Sequence, residues 1–553
     1  MEMIPITCLN TQHSSQYEYG TSIIEIAEKE DVKLDYEILG AMVNNKVRDL
    51  SYRIHKPCKI EFFDISSEHG NNMYKRSAFF LLFKVVKEQL PGVKLRILHS
   101  ISGGKYCALD GYDKPITKEL AEHLKAAMLD LVKQDLPFVR MELPTEQALA
   151  EYSRHGMEEK ANLFKYRKRI YTSIYELGGT INYYYGFLLP STRYLTLFNL
   201  EPYEAGLLLK TPSRFHPDKL HNTRRHPKLF SVYQEYRDWA VKLGVPYVMD
   251  LNEKTVAGEI EDIIRVTEAY QENRFAKIAD DIRSRGNVKM VMISGPSSSG
   301  KTTSCKRISV QLAIQGYQPV QISVDDFFVE REDTPLDANG KMDFEALEAI
   351  DLKLFNDTLL RLMNGEEVEL PTFDFPTGKK LWLGKKVKMK DNAILIIEGI
   401  HCLNPKLTAA IPDEYKYKIF VSALTSISID SQNPIPTTDN RLIRRIVRDH
   451  KYRGYSALDT LRRWESVRNG EVKNIFPYQE NADVMVNSAL IFELGILKPY
   501  AVPVLRAVPE TEPEYAESRR LLKFLSYFKT IPQENIPGTS ILREFVGGSQ
   551  FQY

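Results

Sequence analysis

Val291-Met292-Ile293-Ser294 is a short apolar run that enters Gly295-Pro296-Ser297-Ser298-Ser299-Gly300-Lys301-Thr302-Thr303, and a helical pattern follows. The spacing G-x-x-x-x-G-K-[ST] thus stands in the strand–loop–helix setting that gives it chemical meaning. Gly295 and Gly300 let the backbone curl, so that N–H groups through Ser297, Ser298, Ser299 and Thr303 face phosphate oxygens. The start of the following helix adds partial positive charge at the same place. Lys301 is expected to reach the β- and γ-phosphates, and the Thr302 hydroxyl to ligate Mg²⁺. The stretch predicts a bound nucleoside triphosphate, with ATP and Mg²⁺ as cofactors.

Two carboxylates follow at strand ends. Pro319–Val324 reads as a strand running into Asp325, where a carboxylate either accepts the proton of an attacking hydroxyl or caps the next turn. Ala393–Ile397 reads as another, ending at Glu398, which is placed to act through Mg²⁺ and its water shell. Arg441, Arg445 and Arg448 fall at i, i+4, i+7 on one helical face, with Arg444, Lys451 and Arg453 close by. Beside a phosphate loop they read as a lid over the transferring group; the other reading is a solvated face.

The elements that position these residues occupy part of a longer chain. At 553 residues it is too long for one core. We divide it at 1–66, 67–205, 206–285, 286–510 and 511–553. Ile4–Thr7, Ala41–Val43 and Lys59–Phe63 read as strands and Thr21–Glu28 as a capped helix. Residues 206–285 read as a connection holding a basic, His- and Pro-rich stretch, Arg214–Lys228, then a helix through Ile260, Ile263, Ile264, Thr267 and Tyr270 that ends near Arg285-Gly286. That stretch is either a phosphate or RNA contact or a solvated loop. The tail reads as a helix and a short apolar docking segment.

Lys+Arg and Asp+Glu nearly cancel, 74 against 73, so no global field favours nucleic acid or an anionic membrane. Five scattered cysteines without C-x-x-C spacing argue against a zinc ribbon or a disulfide framework and suit a reducing cytosol. Met1–Pro5 lacks the features of a signal peptide, and no run is long enough to span a bilayer, so a cytoplasmic protein without membrane contact is expected.

The segment Gly20–Ala27, followed by Val43–Leu50, resembles a TGS domain, a β-grasp module. Lys84–Gly92, Leu136–Arg140 and Tyr185–Thr192 are similar to the second, editing-type α+β domain of threonyl-tRNA synthetases. That family carries paired His and a Cys–His pair at positions held here by Arg76, Phe80, Tyr184 and Leu188, so the resemblance implies the fold without the metal or editing ligands. The phosphate loop, Asp325-x-Phe327-Phe328, Asp343-Phe344, Thr372-Phe373-Asp374, Glu398-Gly399-Ile400 and Arg441–Asp449 together resemble the uridine kinase/phosphoribulokinase family. The whole arrangement is similar to bacterial multidomain uridine kinase-like proteins.

The implied fold is an α/β P-loop kinase domain, a parallel sheet flanked by helices, behind the β-grasp and synthetase-editing-like domains. The implied activity is transfer of the γ-phosphoryl of ATP to the 5′-hydroxyl of a nucleoside. By the resemblance Asp325 is the base, Lys301, Arg445 and Arg448 act on the transferring group, Arg453 joins them at ATP, and Asp343 holds ribose hydroxyls. Phe373 stands where the family carries a Tyr, Tyr455 where it carries a lid Arg and Arg463 where a Gln contacts the nucleoside, and all three are expected to line the acceptor pocket. A sugar phosphate as acceptor, or an ATP-switched regulator that contacts RNA or tRNA through the N-terminal domains, are the alternatives. A homo-oligomer is compatible with each.

Overall fold

Every residue of Met290–Ser294 (β1) is buried, as a strand covered on both faces requires. The chain, seen here in a computed structural model that describes residues 2–167, 169–336, 340, 342–374 and 376–552, builds a parallel sheet around this strand. From β1 it passes through Lys301–Ile314 (α1), Gln318–Ser323 (β2), Ala393–Glu398 (β3) and Lys416–Ser422 (β4). It continues through Thr437–Arg453 (α2), Ala457–Asn474 (α3), Val484–Asn487 (β5), Glu493–Arg506 (α4) and Tyr515–Leu525 (α5). The order is β2-β3-β1-β4-β5, every neighbouring pair parallel. This is the fold of a P-loop kinase. The chain leaves β1 and β3 towards opposite edges of the sheet, so the crevice above their C-terminal ends is the expected ligand site. Register alone sets Glu398 opposite Ile293, two residues before Gly295, where the phosphate loop begins.

The N-terminal residues form a five-stranded mixed sheet in which Met3–Cys8 and Cys58–Phe63 run parallel, the β-grasp arrangement. Its helix, Ile23–Lys29, starts at Ser22 with a reciprocal capping box to Glu25, the cap expected from Thr21-Ser22. The next region packs the helix Glu68–Gln89 against a four-stranded sheet, with a second, three-stranded sheet beside it. The hairpin Asn199–Tyr203/Gly206–Lys210 crosses position 205, so this region's sheet continues past the boundary drawn from sequence.

The connection holds three helices, not one: Pro227–Lys242, Val248–Val256 and Ile260–Arg285. The last ends at Gly286, whose φ of +70° is a left-handed cap. Residues 214–226 of the basic stretch are irregular, with Arg214 paired to Glu465 at 2.7 Å. Lys228, at the start of the first helix, donates to the carbonyls of Glu480 and Ala482. The tail is more than a docking segment. Phe524, Ile541 and Phe545 share one buried core with Ile293 of β1 and Ile308 of α1.

Candidate active site

The phosphate loop leaves β1 at Gly295, where a Cβ would lie 2.0 Å from the Val421 carbonyl oxygen. Only glycine fits. Gly300 has φ of +83° and Ser298 +58°, the left-handed turns that bring backbone N–H groups to one side. The Ser298 and Ser299 hydroxyls are buried without a partner among the described residues. Lys301 folds back over the loop, its Nζ donating to the carbonyls of Gly295 (2.9 Å) and Pro296 (3.3 Å). A cradle of curled backbone, orphaned hydroxyls and an ammonium hydrogen-bonded to carbonyls fits a chain of phosphates.

Thr302 and Glu398 meet as their spacing on α1 and β3 implies. The Thr302 hydroxyl lies 3.1 Å from both carboxylate oxygens of Glu398. Burial pushes the Glu398 carboxyl up to about 7, with Lys301 opposing and Asp325 and Glu544 adding. No group of three His, Cys, Asp or Glu among the described residues forms a metal cage. Thr302 and Glu398 therefore suit an ion that shares its coordination with phosphates and water, as Mg²⁺ does.

Asp325 sits on the 3₁₀ turn Val324–Phe327 at the C-terminal end of β2 and opens onto the crevice. The surrounding protein crowds it enough to raise its carboxyl; Lys301 and Arg453 lower it and Asp326 raises it further. Asp325 and Lys301 thus interact electrostatically across the crevice.

The arginine face divides. Arg445 donates from Nη1 to the Ser297 hydroxyl at 2.8 Å. Arg445, Arg448 and Arg453 gather on one carboxylate, Asp449, at 3.3, 2.9 and 3.6 Å. Arg441, on the same face by spacing, is not part of a lid. It is fully buried in a two-pronged pair with Glu471 on α3, because α2 packs against that helix. Arg444 is equally buried, pairing with Glu493 of α4 and donating to Ser488 and to the Ser298 carbonyl.

On the acceptor side, Asp343 accepts from the Glu345 N–H at 3.1 Å and pairs with Lys473 at 3.5 Å. Phe373 packs on Phe328, ring centres 5.5 Å apart, and is buried, so little of its face is open to a ligand. Tyr455 and Arg463 come together, the guanidinium 4.3 Å from the ring centre.

Three carboxylates escaped sequence reasoning. Glu345 is pushed up to about 7 by burial and by Glu471, and feels Arg445, Asp325 and Lys301. Glu471 accepts from the Ser297 N–H at 3.2 Å, on the phosphate loop itself. Glu544 accepts from the Thr303 hydroxyl at 2.7 Å. None carries a local signal, because each arrives from a distant segment.

In the synthetase-like region, the positions without editing ligands do converge. Phe80 and Tyr184 have ring centres 5.6 Å apart, and Arg76 lies over Tyr185 and donates to the Phe187 carbonyl.

Parts of the chain are similar to known proteins. The chain is 31% identical over 191 residues to the threonine–tRNA ligase of Clostridium kluyveri, covering 34% of this chain and 30% of the ligase. To that of Desulforamulus reducens it is 32% identical over 161 residues, 29% of this chain and 25% of the ligase. The chain thus spans under a third of the length of these relatives. Among solved structures it is similar to a possible uridine kinase from Bacillus stearothermophilus, with TM-score 0.25, 20% identity, and 39% of this chain and 98% of that one covered. A putative fructose transport system kinase from Silicibacter sp. TM1040 gives TM-score 0.28 and 19% identity over 38% of this chain and 98% of that one. At these scores neither likeness bears on the assignment. Residues 290–491 match the model of the Phosphoribulokinase / Uridine kinase family, and with the geometry above they constitute a P-loop kinase domain.

Proposed function

We propose that the chain transfers the γ-phosphoryl of ATP, with Mg²⁺, to a hydroxyl of a nucleoside. The observation that carries this is the meeting of Lys301, Thr302, Glu398 and Asp325 at the ends of β1, β2 and β3. Lys301 and the loop hold the phosphates, Thr302 and Glu398 hold the ion with its waters, and Asp325 accepts the proton of the attacking hydroxyl. Arg445 and Arg448 stabilise the transferring charge, and Arg453 steadies the nucleotide. The acceptor side favours a nucleoside over a sugar phosphate on charge. It presents Asp325, Asp326 and Glu345 beside an Asp343 already paired with Lys473, an acidic set that suits neutral hydroxyls better than a second phosphate. Tyr455, under Arg463, supplies a flat surface for a base. We read residues 1–66 as a TGS-type accessory module.

A panel of nucleosides and phosphorylated sugars with labelled ATP tests this. Transfer to at least one nucleoside is expected. Transfer only to phosphorylated sugars, by protein that binds ATP, overturns the acceptor.

The Glu398 carboxyl gives a pH test. The ion needs its ionised form, so binding of Mg²⁺-ADP should release a proton and weaken as the pH falls from 8 to 6 through its value of about 7. The same shift acts on the unliganded fold. Between the ordinary 4.5 and about 7 the folded chain holds a proton that the unfolded one lacks, so this residue's contribution to stability declines as pH rises across that window. In Glu398→Gln, calorimetry should show weaker Mg²⁺-ADP binding that no longer follows pH; an unchanged pH slope would remove Glu398 from the ion site.

A further inference from the structure

The synthetase-like region and α5 meet around two adjoining recesses whose walls carry many cations and, among the described residues, no carboxylate. The first, of about 460 Å³, has Arg76 and Arg140 on one side and Arg519, Arg520 and Lys523 on the other. The second, of about 800 Å³, adds Arg167, Lys498, Arg506 and Lys529. Arg169, Arg519 and Lys523 line both and so form the divide between them. In a chain of net charge +1 this is a strong local concentration.

Some of these cations are balanced from outside the recesses: Arg140 by Glu142, Arg520 by Asp439 and Glu517. The three on the divide have no carboxylate within ion-pair distance among the described residues. Lys523 is instead surrounded by Arg167, Arg169, Arg140 and Arg76, and burial together with those charges pushes its ammonium down to about 7. Two guanidinium nitrogens of Arg167 are buried without a partner. Crowded like charges destabilise a fold, so such a cluster persists where an anion relieves it. The first recess also has flat walls. Tyr184, Tyr185 and Phe187 line it, with the Arg76 guanidinium 5.6 Å from the Tyr185 ring centre and that of Arg140 5.4 Å from Phe187. Its volume lies in the range of small-molecule sites. Rings stack a base, and forked guanidinium groups pair with phosphates.

We propose that these recesses form a second nucleotide site, separate from the phosphate loop, that takes a free nucleoside di- or triphosphate. The base lies against Tyr185 and Phe187 in the first recess, and the phosphates cross the Arg169–Arg519–Lys523 divide into the second. The site shares no residue with the kinase crevice, so it stands whether or not the acceptor assigned above is right.

Calorimetry on the full chain tests it, with ATP, GTP, CTP and UTP, inorganic triphosphate and a short single-stranded RNA as probes. At least one nucleotide is expected to bind at a site that survives Lys301→Ala and weakens about tenfold or more in Arg519→Ala/Lys523→Met. Because Lys523→Met removes an unpaired cation, the unliganded variant should melt no lower than its parent and should lose only the nucleotide-induced rise in Tm. A merely structural lysine would lower the unliganded Tm, which overturns the proposal. So does the absence of any nucleotide site beyond the phosphate loop. Equal affinity for inorganic triphosphate and every nucleotide overturns the base contact, and displacement of nucleotide by tighter-binding RNA assigns the recesses to nucleic acid instead.

Discussion

Asp325→Asn should lower phosphoryl transfer by about 10²–10⁴-fold, the range that a positioned general base contributes, while ATP affinity stays nearly unchanged. The two effects separate because different atoms are responsible. Nucleotide binding rests on the phosphate loop, Lys301 and Thr302, none of which takes its hydrogen bonds from Asp325. The Asp325 carboxyl opens onto the crevice from the end of β2, and asparagine keeps its volume without its basicity. Removing a negative charge near Lys301 also frees the ammonium for phosphate, so a slightly tighter complex is compatible. Turnover by a coupled assay, set against ADP affinity by calorimetry, reads both. Collapse of ADP affinity together with turnover would show that Asp325 supports the nucleotide rather than the acceptor.

Arg444→Met should destabilise the protein by roughly 3–5 kcal/mol, the usual result of stripping one partner from a buried ion pair. At about 2–4 °C per kcal/mol for a domain of this size, the Tm falls on the order of 10 °C. Arg444 has no exposure, and its guanidinium ties α2 to Glu493, to Ser488 beyond β5, and to the Ser298 carbonyl in the phosphate loop. Methionine fills part of the space but leaves Glu493 charged and enclosed, with the Leu490 N–H remaining at 3.0 Å. Arg444→Met/Glu493→Met removes both charges and should recover most of the loss, since apolar replacement of a whole buried pair is often neutral. A single-variant loss below about 1 kcal/mol would mark the pair as solvated.

The donor half of the site was legible because it is local. The glycines, Lys301 and Thr302 are contiguous, and a loop of that composition between a strand and a helix has few other conformations. Glu398 was legible because strand ends in a parallel sheet converge, which its register with Ile293 satisfies. Arg441 and Arg444 were illegible as structural residues: a guanidinium that faces solvent and one that faces Glu471 or Glu493 have the same sequence signature, and only the packing of α3 and α4 decides. Glu345, Glu471 and Glu544 were illegible for the related reason that contact across long separations leaves no spacing to read. Gly470 held the one faint hint, since a Cβ there would meet the Glu345 side chain at 2.6 Å. The basic recesses were hidden in the same way, because near-neutral composition averages over a surface that is far from uniform.

Ile541 packs where a Cβ on Gly300 would lie, and Glu544 takes the Thr303 hydroxyl across 241 positions of chain. The phosphate loop is therefore finished by residues that are synthesised well after it. A nascent chain that has completed β1 to β5 already contains every motif of the catalyst, yet it lacks the wall behind Gly300. The loop's packed form thus waits for residues 541–544, whatever order the rest of the chain folds in.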